Sequence, residues 1–254
     1  MTPALPQTLW IVRHGQSAGN VARDIAEASG LHIIDIADRD IDVQLSGLGR
    51  DQSQSLGRWF AALERDLQPQ LLLCSPYLRA QETARLILEH GGLAHTVKLR
   101  TDERLREKEF GILDRLTNFG ISVRHPELSH QRSHVGKFYF RPPGGESWCD
   151  VILRLRSLLE MMVREHAGLR ILIVAHQVVV NCMRYLIEEM DESEILGIDR
   201  LGNIPNCSIT SYLAKPDLPQ APRLVLDLLN FLSPLEQTGT PITSDADVTA
   251  APKP

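Results

Sequence analysis

Apolar positions along this chain fall into two kinds of segment. Leu9–Val12, Leu71–Cys74 and Ile171–Ala175 are short unbroken apolar runs, the pattern of strands buried on both faces. Between them, apolar residues recur at helical spacing. Ser46 is placed to N-cap a helix to about Leu63, with Leu48, Leu56, Trp59, Phe60 and Leu63 as its stripe. Tyr77 to about His90 reads as a helix stopped by Gly91-Gly92. Val97–Leu99 predicts a third strand. A long helix is predicted from about Glu146 to His166, with Val151, Leu155, Leu158, Leu159 and Met162 facing inward, and another from His176 to about Met190. Ile209–Ala214 and Leu224–Leu229 predict later strands, antiparallel or at an edge. Strands alternating with helices predict an α/β protein, a three-layer α/β/α sandwich on a largely parallel sheet.

Two regions depart from that rhythm. Residues 104–141 are irregular, with eight Lys/Arg against four Asp/Glu, a net +4 in a chain of net charge -5. We read them as a basic lid or insertion that attracts an anionic substrate. From Ser233 the chain turns rich in Pro, Thr, Ser and Asp, which predicts a single domain over 1–232 and a disordered tail over 233–254.

Chemistry gathers where the strands end. In open α/β sheets the carboxyl ends of strands are where ligands sit. The first run ends in Arg13-His14-Gly15-Gln16-Ser17, the second in Ser75-Pro76 with Arg79 one turn on, and a later one in His176. Parallel strands would bring both histidines and both arginines to one edge. Neutral imidazole is a competent nucleophile at neutral pH, guanidinium binds two phosphate oxygens at once, and Gly15 lets backbone approach a ligand closely. A phosphoryl-transfer reaction also needs an acid for the leaving alkoxide. Glu103, Glu107 and Glu109 are all candidates, and periodicity does not choose among them.

Composition removes some alternatives. A pI near 6.0 argues against a general nucleic-acid binder. No apolar run approaches the roughly 18–20 residues of a membrane span, and Met1–Thr8 lacks the pattern of a signal peptide. Cys74, Cys149, Cys182 and Cys207 are widely spaced, as in reduced thiols of a cytoplasmic protein. His125, His130 and His134 have no nearby carboxylate or cysteine to complete a ligand set, so no metal site is expected.

Taken in order, the motifs resemble those of the histidine phosphatase superfamily, in its phosphoglycerate mutase-like branch. Arg13-His14-Gly15-Gln16-Ser17 with Asn20 is similar to its signature. The segments Leu45–Gly49, Ser75-Pro76 with Arg79, Gln81, Thr83 and Ala84, Leu105-Arg106-Glu107 with Phe110-Gly111, Pro143–Ser147 and Val174–His176 match in sequence. The resemblance implies a phosphohistidine on His14 and phosphate held by Arg13, Arg79 and His176. Ser17 and Asn20 would assist, Glu107 would be the proton donor, and no metal or cofactor would be required. Gln177 stands where the family usually has glycine, adding a side chain beside the phosphate. Ile112-Leu113-Asp114-Arg115 replaces a Trp-Glu-Gly-like stretch. These departures bear on the substrate and on mutase activity more than on phosphoryl transfer. The expected activity is hydrolysis of a small phosphorylated substrate. The alternatives are a mutase and a non-catalytic phosphate-binding regulator.

Overall fold

The computed structural model describes residues 5–215 and 223–244. Its centre is a six-stranded sheet in the order β3-β2-β4-β1-β5-β6. The strands are β1 (Thr8–Arg13), β2 (Leu71–Cys74), β3 (Lys98–Thr101), β4 (Arg170–Ala175), β5 (Ile209–Lys215) and β6 (Arg223–Phe231). The first four are parallel; β5 pairs antiparallel with β1 and β6 with β5. The sheet is therefore mixed, with the antiparallel pair at the side where the sequence placed its later strands.

Why these strands lie where they do follows from burial. β1, β2 and β4 bury nearly every residue, because helices cover both faces. Leu9, Ile11, Leu71, Leu73, Ile171 and Ile173 meet one core; Trp10, Val12, Leu72, Cys74, Leu172 and Val174 meet the other. The alternation is the two-residue period of a strand expressed on both faces. Over the first core lie α6 (Trp148–Glu165) and α7 (Gln177–Ile187); over the second lie α2 (Gly47–Ala62) and α3 (Leu78–His90).

The third strand is displaced from its predicted position. It begins at Lys98, and all its residues are exposed, because it is the sheet edge and carries no apolar run to read. Residues 104–141 hold two helices, α4 (Asn118–Arg124) and α5 (Pro126–Val135), over a small core of their own that includes Phe110, Leu113, Ile121 and Phe140. A helix absent from the sequence reading, α8 (Glu192–Leu201), is opened by a capping box between Asp191 and Glu194.

The disorder expected from Ser233 does not hold for the described part of that segment. Ser233–Thr238 forms α9, and Leu235 is fully buried in the second core. One large apolar residue is enough here because hydrogen bonds do the rest. The Gln52 side-chain amide donates to Pro241 O and Thr243 Oγ1, and the Asn203 amide donates to Ser244 O. The remainder of the expected tail, 245–254, lies outside the described residues. Among the described residues no helix is long and apolar enough to cross a membrane.

The turn after β1 is locked against α2. Gln16 O accepts from Ser46 N at 2.9 Å, and Gln16 N donates to Gln52 Oε1 at 2.9 Å. Gly49 lies so close that a Cβ there would overlap the Gln16 carbonyl, which is backbone and cannot move aside cheaply. Gly49→Ala is therefore expected to destabilise the fold by about 3 kcal/mol, the upper end of overpacking costs. Urea denaturation checks this; an unchanged midpoint would show that the turn can shift.

Candidate active site

The parallel ladder continues past the strands and assembles the site. His14 N donates to Ala175 O, and Ser75 N donates to Val174 O. These bonds hold the residues after β1, β2 and β4 side by side. The sequence expectation that His14, Arg79 and His176 converge is met. The rings of His14 and His176 lie 5.1 Å apart, edge to face, and Arg79 Nε donates to His14 Nε2 at 3.2 Å.

The His14 ring is held in one orientation. Its Nδ1 lies 2.7 Å from the Gly15 carbonyl oxygen, so Nδ1 carries the proton. Nε2, facing the Arg79 guanidinium, keeps its lone pair. The His14 carbonyl accepts from the Asn206 amide at 3.0 Å, and Gly15 N donates to Thr83 Oγ1 at 3.1 Å. Backbone and ring are thus both pinned, the preorganisation a nucleophile needs.

Arg13 is fully buried at the end of β1, with Nη1 donating to Ile204 O at 2.5 Å. A buried guanidinium is favourable only where hydrogen bonds and opposite charge compensate it, which suits a doubly charged ligand. His176 Nε2 is 2.8 Å from Ser75 Oγ, and the Tyr77 ring stands against its face at 5.1 Å. The Tyr77 hydroxyl donates to Glu109 Oε1. Burial, then the charges of Asp40 and Glu109, raise its pKa, so it stays protonated.

Ser17 and Asn20 line the adjoining cavity, but they also serve the helix. Ser17 N-caps α1 (Ala18–Ala28), with its Oγ donating to Asn20 Oδ1 at 2.8 Å in a capping box. Gln177 opens α7 with its amide donating to Asn203 Oδ1 at 3.2 Å; it does not appear in the cavity wall.

Glu107 is buried and faces the cavity, with Oε1 accepting from Lys108 N at 2.7 Å. Its loop is held from behind. Arg154 Nη2 donates to Glu107 O at 3.3 Å while Nε donates to Glu146 Oε1 at 3.0 Å. Glu146 also accepts from Arg106 Nη2 at 2.7 Å and from Glu109 N at 3.1 Å. Burial pushes the Glu146 carboxyl up, but Arg154, the Glu109 N–H and Arg106 outweigh it and hold it below its usual range. Of the three carboxyls left open by the sequence, Glu107 faces the cavity. Glu109 is turned to Tyr77, and Glu103 is exposed.

Lys108, next to Glu107, is 5% exposed and lies over the Phe110 ring at 4.4 Å. Burial pushes its ammonium down to about 8, against the opposing pull of Glu107 and Glu146. The folded state therefore gives up this proton more readily than the unfolded chain, so stability rises between pH 8 and 10.5 and is lost as pH falls through about 8. Lys108→Met is expected to stabilise the fold at pH 7 by roughly 2 kcal/mol. That gain should shrink toward pH 10. Denaturation of both proteins across this range tests it, and a gain independent of pH would contradict it.

Sequence reasoning missed several groups at the site. Asp40 binds Arg79 directly, with Nη1 donating to Asp40 Oδ1 at 2.9 Å and to its carbonyl at 2.7 Å, and Nη2 to Oδ2 at 3.3 Å. Arg23, Asp114 and Arg115 also line the cavity. Burial, then the charge of Asp40, raise the Asp114 pKa. Arg115 holds a left-handed backbone, φ 61°, uncommon for a residue with a side chain. Among the described residues no three His, Cys, Asp or Glu side chains come together in metal-ligating fashion.

The arrangement sets the His14 imidazole against the Arg79 guanidinium, beside a cavity that Arg79 and the Glu107 carboxyl both line. The chain is 27% identical to a 2,3-bisphosphoglycerate-dependent phosphoglycerate mutase of Methylorubrum populi, over 88% of this chain and 97% of that protein. It is 26% identical to the phosphoglycerate mutase-like protein AT74H of Arabidopsis thaliana, over 80% of this chain and 72% of that one. Among solved structures, a mycobacterial glucosyl-3-phosphoglycerate phosphatase superposes with a TM-score of 0.68 at 26% identity, covering 89% of this chain and all of that one. A family model matches residues 9–226. By that match, with a fold and strand-end site to go with it, the chain belongs to the histidine phosphatase superfamily, branch 1.

Proposed function

We propose that this protein is a metal-independent phosphatase that hydrolyses small phosphomonoesters through a phosphohistidine on His14. The observation that carries the reading is the His14 ring: Nδ1 is satisfied by a backbone carbonyl while Nε2 faces Arg79. In the first step Nε2 attacks phosphorus, the P–O ester bond breaks, and Glu107 gives its proton to the leaving alcohol oxygen. In the second, water attacks phosphorus, Glu107 takes back a proton, and the P–N bond breaks to free inorganic phosphate and neutral imidazole. Arg13, Arg79 and His176 hold the phosphoryl oxygens, whose charge spreads in the transition state. Ser17 and Asn20 border the phosphate from the N-terminus of α1, where anions are favoured. Gln177 follows His176 in the chain, and its amide is turned to Asn203 rather than into the cavity. By this reading the protein acts in the cytoplasm, on a metabolite and not on nucleic acid.

Incubation with p-nitrophenyl phosphate and EDTA tests this. Release of inorganic phosphate at multiple turnovers supports the hydrolase. Absence of release, or loss of release with EDTA, overturns it. A second reading, transfer of the phosphoryl group to another hydroxyl, is favoured by the near-complete coverage of the M. populi mutase. Conversion of 3-phosphoglycerate to 2-phosphoglycerate in place of phosphate release would establish that reading.

A further inference from the structure

The nucleophile is covered. Arg13, His14 and His176 are each 0% exposed, and none of them reaches the cavity wall, whereas Arg79 does. Arg79 is the hinge between the two. Its Nε donates to His14, and its Nη groups, the edge suited to two phosphate oxygens, are spent on both carboxylate oxygens of Asp40.

We propose that Asp40 is a built-in phosphate mimic. Its carboxylate occupies Arg79 in the resting protein, and a phosphoryl group enters by exchanging with it. The inference rests on the reading of Arg79 as a phosphate ligand. Asp40 lies in a short helical turn (Asp40–Asp42) whose side chain is a third exposed, while that of Arg79 is 5% exposed. Turning the carboxylate out to water therefore costs little desolvation. The Asp40 carbonyl contact to Arg79 need not break, so the backbone can stay in place. Crowding favours release as well. Asp38 and Asp114 line the same cavity, and the charge of Asp40 is felt by Asp114. A dianionic phosphoryl group offers Arg79 more charge than the monoanion it replaces.

Such a contact weakens every anion by the fraction of molecules in which Arg79 is open. It sets a threshold. Orthophosphate, held by its oxygens alone, clears it only in part and binds weakly. An ester whose body packs on Ile34, Ile36, Val43 and Phe110, the apolar wall of the cavity, gains enough to clear it. The substrate class is thus a phosphomonoester with an apolar body, and the product phosphate is ejected when Asp40 returns.

Calorimetric binding of inorganic phosphate and of orthovanadate to wild type, Asp40→Asn and Asp40→Ala tests this without turnover. Asn keeps the size and removes the charge, and Ala removes both. The expected result is affinity about tenfold tighter in both variants. If Asp40 instead orients Arg79 for the ligand, both variants will bind more weakly, and the inference is overturned. Unchanged affinity, or no binding by any of the three proteins, overturns it too. Thermal unfolding confirms that the variants are folded. If the wild type binds phosphate but never releases it from an ester, the hydrolase reading fails while tightening in the variants still supports the mimic.

Discussion

Replacing His14 by alanine is expected to lower kcat on p-nitrophenyl phosphate by a factor on the order of 10⁴ or more. The large number follows from the proposed mechanism. Without an imidazole no covalent intermediate forms, and water must attack the ester directly in a buried site arranged around a nitrogen nucleophile. The remaining groups, Arg13, Arg79 and His176, still stabilise charge, so a residual rate above that in water remains. A second readout separates chemistry from collapse. Rapidly quenched wild type should carry an acid-labile phosphoryl group, and the variant none, while vanadate still binds to it. A variant with near-normal turnover would remove His14 from the mechanism altogether.

Glu107→Gln is expected to split two substrates that differ in their leaving groups. For an alkyl phosphate the departing oxygen is a strong base and needs a proton, so kcat/KM should fall about 10² to 10⁴-fold. For p-nitrophenyl phosphate the departing oxygen is a weak base, and kcat/KM, which reports only the first step, should change little. Hydrolysis of the phosphohistidine also needs Glu107, now as a base. The variant should therefore release one burst of p-nitrophenolate per site and then slow down. Equal losses of kcat/KM on both substrates would mean that Glu107 does not protonate the leaving group. The Arg154–Glu146 pair that holds the Glu107 loop is untouched by this substitution, so a packing defect is not the expected cause.

The parts of this site that the sequence disclosed share one physical trait. His14 and His176 follow strands buried on both faces, whose unbroken apolar runs mark their ends clearly. Arg79 follows one such run by a turn of helix. Glu107 sits in a charged stretch, and only its likeness to a family motif separated it from Glu103 and Glu109. Asp40 was not legible. It lies in the mostly charged segment Asp35 to Asp42, with no sustained helical or strand period, and its partner is 39 residues away. Asn206 and the segment 239–244 were hidden for the same reason: polar contacts across long separations leave no periodic trace. The edge strand β3 was misplaced by its own exposure.

The bond from Arg13 to Ile204 spans 191 residues, and that from Asn206 to the His14 carbonyl spans 192. During synthesis His14 is therefore made long before the groups that support it. A nascent chain stopped short of Ile204 carries the arginine and the histidine but lacks the carbonyl and amide that fix them. Arg13 and His14 therefore gain these supports only once the chain has folded back across the 191 and 192 residues that separate them.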